Sequence, residues 1–270
     1  MKILMIQRAE QFSPNAVEND RAILEAVALR LSSRGHLVTQ VDETLLASSL
    51  AADKPDFIFS MARLPESLRL LQASGIKVVN APQGVSQCSR RQVQSLMDSL
   101  CIPYPAGSGL HGYWLKRADA AAQTADDVVY VPDLQALASA EAAMRARGIR
   151  DYLVCPHVEG DLVKFYGVKD SQFFYWFYPF DEGHSKYGWE EVNGHSQGID
   201  IDLKELKSIC SKAAEELNVV IYGGDCIVDP DGTIRIIDFN DWPSFAPCRN
   251  ESAPHIAKAV LALAKAHLGL

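Results

Sequence analysis

Apolar and polar positions along the chain change period several times, and each change marks an element. Residues 3–6 are an apolar run that reads as a buried strand. Ile23, Leu24, Val27, Ala28 and Leu31 then recur at helical spacing between about residues 19 and 34, and Gly35 stands where a helix C-cap is expected. Residues 37–41 predict a second strand, 44–52 a short helix closed by Lys54-Pro55, 56–61 a third strand, 65–74 a helix ending at Gly75, and 76–79 a fourth strand. Strand and helix alternate strictly, which predicts a Rossmann-like lobe with a parallel sheet and covering helices. No G-x-G-x-x-G follows the first strand, so the usual dinucleotide fingerprint is missing.

Asn80-Ala81-Pro82 marks a boundary, and a helix is expected over residues 85–100. Ile102-Pro103-Tyr104-Pro105 must be extended, because proline fixes its own φ and restricts the residue before it. Residues 113–116 and 128–131 predict two strands of a small sheet, 134–147 an alanine-rich helix capped at Gly148, and 152–155 a further strand. Residues 162–168 and 173–178 pattern as a hairpin around Lys169-Asp170-Ser171. Little periodicity is left in residues 181–200, and a loop of that length inside a compact domain is often functional. A helix over 203–217 precedes strands at 219–228 and 233–239, which flank the turn signal Asp229-Pro230-Asp231-Gly232. A last helix is expected over 252–267.

Composition narrows the function more than the fold. The 270 residues are 48% hydrophobic and carry a formal net charge of −8. A phosphate footprint on nucleic acid needs clustered Lys and Arg, so a nucleic-acid partner is not expected. The first residues lack the apolar length of a signal peptide, and no stretch approaches a membrane span, so the expectation is a cytoplasmic protein without a membrane partner. Six cysteines stand at irregular spacing without a C-x-x-C pair, which suits reduced thiols.

The candidate chemistry lies around the second hairpin. Asp238 and Asn240 are two apart on a strand and project to one face, and Asp225 sits on the incoming strand. The hairpin can bring these three oxygen-bearing side chains near one point, and hard oxygen ligands suit Mg²⁺. A bare D-x-N also occurs as a solvated strand end.

Gly223-Gly224-Asp225-Cys226-Ile227-Val228, then Asp231-Gly232, then Ile236-Ile237-Asp238-Phe239-Asn240-Asp241-Trp242-Pro243 resembles the C-terminal signature of ATP-grasp enzymes. Upstream segments extend the resemblance in order. Val78-Val79-Asn80-Ala81-Pro82 and Cys88-Ser89-Arg90-Arg91 are similar to the entry segment, with Arg91 at the place of a phosphate-contacting lysine. Tyr113-Trp114-Leu115-Lys116 looks like the strand of the second ATP lysine. The run from Tyr152 through Cys155, Pro156, His157, Val158, Glu159 and Gly160 looks like the hinge that pairs with adenine, and Lys164 lies on the strand where a basic residue faces phosphate or substrate.

The resemblance implies an N-terminal α/β lobe (1–82), a short central lobe (83–156) and a C-terminal lobe with the metal site (157–270). It implies ATP and Mg²⁺ as cofactors, Asp225, Asp238 and Asn240 as metal ligands, and Arg91, Lys116, Cys155, His157 and Glu159 at the nucleotide. Lys164 and, if the chain folds back after the metal run, Arg249 are the catalytic candidates, as cations that would meet phosphate or a substrate carboxylate. The stretch from Arg117 to Asp127 holds no glycine where the family usually carries a glycine-rich loop, so the cover over the phosphates is expected to be shorter or built differently.

The activity implied is a ligase joining a carboxylate to an amine through an acylphosphate, which needs no protein nucleophile. Two alternatives stay open: a small-molecule kinase acting on a hydroxyl of an anionic acceptor, and a non-catalytic nucleotide-binding protein. The partner expected is a small molecule bearing a carboxylate or phosphate, and the sequence leaves a homo-oligomer open. His184, Lys186 and His195 are weaker candidates in the long loop, where a solvated surface explains them as well. The run Phe173-Phe174-Tyr175-Trp176-Phe177-Tyr178 reads as strand packing.

Overall fold

The computed structural model describes residues 1–119, 121–184 and 188–269. Lys186 and Ala120 lie outside the described residues.

The first lobe runs β1 (Lys2–Gln7), α1 (Val17–Ser32), β2 (Leu37–Asp42), α2 (Leu46–Ala52), β3 (Phe57–Ser60), α3 (Pro65–Ala73) and β4 (Val78–Val79). All strand pairs are parallel, in the order β2-β1-β3-β4. Ile3 and Met5 face α1, while Leu4 and Ile6 face Leu46 and Leu71, so β1 is buried on both sides. That double burial is why its sequence is a continuous apolar run with no alternation.

The helix expected over 85–100 is two helices, α4 (Pro82–Gln87) and α5 (Arg90–Ser99). The break falls at Cys88 and Ser89, where Ser89 is extended at φ −67° and ψ 146°. Val93 and Met97 of α5, with Ile102, pack into the core of the C-terminal lobe. The segment that a division at residue 83 would assign to the central lobe therefore packs on the C-terminal one.

The central lobe holds β5 (Tyr113–Arg117), β6 (Val128–Val131), α6 (Leu134–Ala146) and β7 (Tyr152–Pro156), antiparallel in the order β6-β5-β7. Alternation along β5 sends Leu115 into a small core with Met144 and Ile149, and Trp114 and Lys116 to the opposite face.

The C-terminal lobe comprises β8 (Asp161–Val168), β9 (Phe174–Phe177), α7 (Leu203–Glu216), β10 (Ile221–Val228), β11 (Ile234–Asp241) and α8 (Arg249–Leu268). Its sheet is antiparallel in the order β11-β10-β8-β9. Val163, Phe165, Cys226 and Ile236 pack on the apolar stripe of α7, which includes Leu206, Cys210 and Ala213. The other face carries the polar row described below.

First and third lobes share one core, in which Ile23, Val27 and Leu31 of α1 meet Ile256, Ala257 and Val260 of α8, together with Trp242 and Phe245. Buried Asn80 reinforces the joint. Its amide oxygen accepts from Val220 N (2.7 Å) and Ile221 N (3.0 Å), and its amide nitrogen donates to the Ile221 carbonyl (2.7 Å), so it acts as one more strand residue beside β10. Among the described residues no helix is long and apolar enough to cross a membrane.

Candidate functional site

The three lobes enclose a cavity of about 670 Å³. Its floor is the exposed face of β8, β10 and β11. Register places Lys164 opposite Asp225 and Asp225 opposite Asp238, so three side chains form a row across three strands. An unbroken hairpin would not do this. Val228 faces Ile234 and Cys226 faces Ile236, which would leave Asp225 opposite Ile237. The register shifts between Asp225 and Cys226, so Ile237 is the extra residue of a β-bulge and Asp238 comes beside Asp225. Asn240 follows on the same face, opposite Gly223.

Glycine is required at both positions 223 and 224. A Cβ on Gly224 would stand 2.2 Å from the Asp238 carbonyl oxygen, and one on Gly223 would stand 2.7 Å from the Tyr166 ring. The floor is thus packed so closely that the acidic pair is held by the backbone itself.

Cations flank the row. Lys164 Nζ lies 2.9 Å from an Asp225 oxygen, and an Arg90 Nη lies 3.9 Å from Asp238. Lys116, only 9% exposed, reaches from the central lobe and donates to the Ile237 carbonyl at 3.1 Å. The bulge therefore also presents the acceptor that holds Lys116 over the site.

Burial alone would raise Asp238, but Arg90 and then Lys116 outweigh it and hold the carboxyl below its ordinary value. Burial pushes Asp225 up, Lys164 opposes that, and the adjacent Asp238 charge adds to it. Burial would lower Lys164, yet Asp225 and Glu190 keep it above the ordinary lysine value and charged.

Two adjacent carboxylates and an amide oxygen make a hard donor set, and a divalent cation would relieve the repulsion that raises Asp225. Among the described residues no three His, Cys, Asp or Glu side chains gather into a metal cage. A metal here would take its other ligands from water and phosphate, as Mg²⁺ commonly does.

The wall toward the central lobe is mainly apolar, with Trp114, Val128 and Val158 facing Leu162, Ile227 and Ile237. Strand β7 pairs only with β5 among the described strands, so it forms an edge of its sheet beside the cavity. Cys155 and His157 both line the cavity. Burial lowers the His157 pKa, and its Nδ1 accepts the Trp114 indole N–H at 3.1 Å.

Seven of the ten residues singled out from the sequence meet in this cavity: Lys116, Cys155, His157, Lys164, Asp225, Asp238 and Asn240. The other three do not line it. Arg91 is on the outer face of α5, with its side chain 55% exposed and paired with Asp151. Its neighbour Arg90, 15% exposed, faces inward and donates to the Arg117 carbonyl at 2.6 Å. Glu159 is exposed and pairs with His111 at 3.1 Å. Arg249 opens α8 and donates to Asn19 at 3.0 Å.

Sequence reasoning also missed the N-terminal contribution. Arg63 donates to both the carboxylate (2.6 Å) and the carbonyl (3.0 Å) of Asp241, and Arg8 donates to the Trp242 carbonyl. Buried Glu43 in turn accepts from the backbone N–H of Ala9, Arg63 and Leu64, at 2.6, 3.0 and 2.7 Å. No spacing in the sequence couples residues so far apart.

From the long loop, Trp189, Glu190 and Asn193 enter the cavity. His184 instead packs against Phe177, and exposed His195 pairs with Asp181. The glycine-free stretch supplies part of the roof through Ala118, Asp119, Ala121 and Ala122. It is anchored by fully buried Asp127, which accepts from Gln123 N (2.8 Å) and Arg147 (2.5 Å).

No protein-family model matches the sequence, and no curated protein does. Solved structures match over the whole length. D-alanyl-alanine synthetase A from Vibrio cholerae O1 biovar eltor superposes with a TM-score of 0.69 at 13% identity, over 98% of each chain. A RimK domain ATP-grasp protein from Sphaerobacter thermophilus gives 0.65 at 18% identity, over 97% of this chain and 100% of that one. D-alanine–D-alanine ligase from Bacillus anthracis, complexed with ATP, gives 0.65 at 11% identity, over 99% of both. The chain has the ATP-grasp fold, as the motif order implied.

Proposed function

We propose that this protein is an ATP- and Mg²⁺-dependent ligase that joins a carboxylate to an amine. The observation that carries the reading is the row Lys164–Asp225–Asp238, which alternates charge across three strands on the floor of a cavity roofed by Lys116. The ligase activity named for the structural neighbours agrees with it.

ATP fits with its base in the apolar slot between the two antiparallel sheets and its phosphates toward Lys116, Arg90 and Lys164. Asp225, Asp238 and Asn240 would hold the metal, which when bound neutralises phosphate charge as it develops. Lys164 and Arg90 orient the terminal phosphate. A substrate carboxylate oxygen attacks that phosphorus, the bond to ADP breaks, and the amine then displaces phosphate from the acylphosphate. Positioning and charge do this work, so no protein nucleophile is needed. The buried thiols agree with that: burial pushes Cys226 well above the usual thiol range and Cys248 to about 12.

The test is incubation with Mg-ATP and pooled carboxylates and amines, read by ADP release and mass spectrometry. A new amide mass supports the ligase. A phosphorylated acceptor in its place indicates a kinase, and tight ATP binding without ADP from any pool indicates a non-catalytic binder.

A further inference from the structure

The first lobe brings two arginines to the cavity. Arg8 comes directly after β1 and Arg63 shortly after β3, so both leave the parallel sheet at the C-terminal ends of neighbouring strands, the edge at which such sheets commonly bind ligands. Their side chains are 6% and 15% exposed. The contacts that dock the lobes use few of their donors. Arg8 donates through Nη2 to the Trp242 carbonyl, and its Nε stands 3.4 Å from Asp20 without a hydrogen bond. Arg63 meets Asp241 through Nη2 alone.

A guanidinium carries five N–H groups, so donors are left over on both. Neither Nη1 makes a hydrogen bond among the described residues. Of the nine buried side-chain polar atoms without a hydrogen-bond partner among those residues, four gather here: Arg8 Nε, Arg63 Nε, Asp241 Oδ2 and Trp242 Nε1. Unmet buried polar groups are costly, and a cluster of them beside a cavity marks where a ligand completes the set. Burial lowers Arg8 below the ordinary arginine value, Asp20 opposes that, and the Arg63 charge adds to it. An anion reached by both guanidiniums relieves their repulsion.

The surroundings select the anion. Asp20 pairs with Arg8 and Asp241 with Arg63, while Glu43 is taken up by backbone N–H groups. A dianionic phosphate would therefore meet carboxylates already in place. A carboxylate brings a single charge and a planar pair of acceptors that matches guanidinium donors. Asp241 directly follows Asn240 on β11, so this end of the cavity and the floor row are close enough for one small molecule to reach both.

We propose that Arg8 and Arg63 bind a carboxylate of the substrate that does not react, which makes the substrate a dicarboxylic acid. Its other carboxylate meets the terminal phosphate at the Lys164–Asp225–Asp238 row. This rests on the ligase reading above.

The experiment traps the acylphosphate with hydroxylamine, so the natural amine need not be known. Wild type is given Mg-ATP with the straight-chain dicarboxylic acids from malonic to adipic acid, aspartic and glutamic acids, the monoamides of each, and a pool of monocarboxylic acids. Hydroxamate is read as kcat/KM. The reactive dicarboxylic acid should exceed its monoamide about 100-fold, the scale of a buried charge left without its partner. In Arg8→Gln and Arg63→Gln that preference should fall below about 5-fold, and Arg8→Lys, which keeps the charge beside Asp20 but not the planar fork, should be intermediate. Arg8→Lys carries the test if the glutamine variants prove unstable to heat. Loosened docking of the lobes lowers acid and monoamide together and leaves their ratio unchanged. A wild type that uses monoamides or monocarboxylic acids as well as dicarboxylic acids, or a preference that survives all three substitutions, overturns the proposal and leaves the ligase reading standing. Wild type that makes no hydroxamate from any acid overturns both.

Discussion

Replacing Gly224 with alanine tests whether the bulged strand pair is what sets the proposed metal-binding row. The added Cβ would lie 2.2 Å from the Asp238 carbonyl oxygen and 2.6 Å from Phe165 Cζ, well inside any tolerated contact. Phe165 is fully buried against Phe239 and Phe174, so the ring has no empty space to enter. The backbone at Asp238 must therefore give way, and a displacement of roughly 1 Å is the scale at which positioned groups lose about 100-fold in effect. Overpacking of this kind costs about 1–3 kcal/mol in stability, which a chain of this size survives folded. Titration calorimetry of Mg-ATP binding, repeated across Mg²⁺ concentrations, is the assay. The apparent Mg²⁺ affinity should fall about 10–100-fold, as it does when the supports of a metal ligand are disturbed. Gly232→Ala is the matched control: it sits at φ +84° with nothing within 4 Å of its Cβ, so it strains the turn but leaves the row in place. If Gly224→Ala binds Mg-ATP with the Mg²⁺ dependence of Gly232→Ala, the bulge does not position the metal ligands and the reasoning fails.

Lys116→Ala removes the cation that spans the lobes, and ATP affinity should fall by about 1.5–3 kcal/mol, the worth of a charged hydrogen bond; calorimetry showing wild-type affinity would refute its role. Arg90→Ala should weaken ATP binding, whereas Arg91→Ala, on the exposed face with Asp151, should change it by less than about 0.5 kcal/mol; equal effects would mean the inward orientation of Arg90 is immaterial. Asp127→Asn tests the anchor of the alanine-rich roof. Burial would raise Asp127, but Gln123 N, Arg147 and Thr124 N hold it below its ordinary value, so its contribution is full above the ordinary carboxylate range and is lost as pH falls through the depressed folded value. The variant should cost about 2 kcal/mol at neutral pH, discounted because Arg147 is partly solvated, and the gap should close in acid; a gap in urea unfolding that is constant with pH would refute it.

Much of this was legible in the sequence because period and turn chemistry are local. The apolar runs of the first lobe and the Asp229–Gly232 turn predict strands that the structure contains. What stayed hidden involves a one-residue offset or a distant partner. An isoleucine suits either face of a buried strand, so nothing marks Ile237 as the bulged residue. Neighbouring helix positions differ by about 100° of rotation, so the break at Cys88 and Ser89 decides whether Arg90 or Arg91 looks inward. Glu190 enters from a loop without periodicity. The Arg63–Asp241 pair joins residues whose proximity follows only once two lobes have docked.

That docking also decides which part of the site can open. The first lobe grips both strands of the β10–β11 hairpin at its open end: Asn80 pairs with residues 220 and 221, while Arg63 and Arg8 hold the carbonyls of Asp241 and Trp242. Beneath them lies the shared core of α1 and α8. Parting these lobes would expose Ile23, Val27, Ile256 and Val260 together, and each buried aliphatic side chain is worth about 1.5–3 kcal/mol. The central lobe has its own small core of Leu115, Met144 and Ile149, and Lys116 meets the floor of the cavity through one hydrogen bond to Ile237. Under the proposed function, nucleotide entry is therefore expected to move the central lobe over a fixed base. The Lys164–Asp225–Asp238 row and the Arg63 clamp belong to that base, so they are expected to keep their geometry as the roof moves.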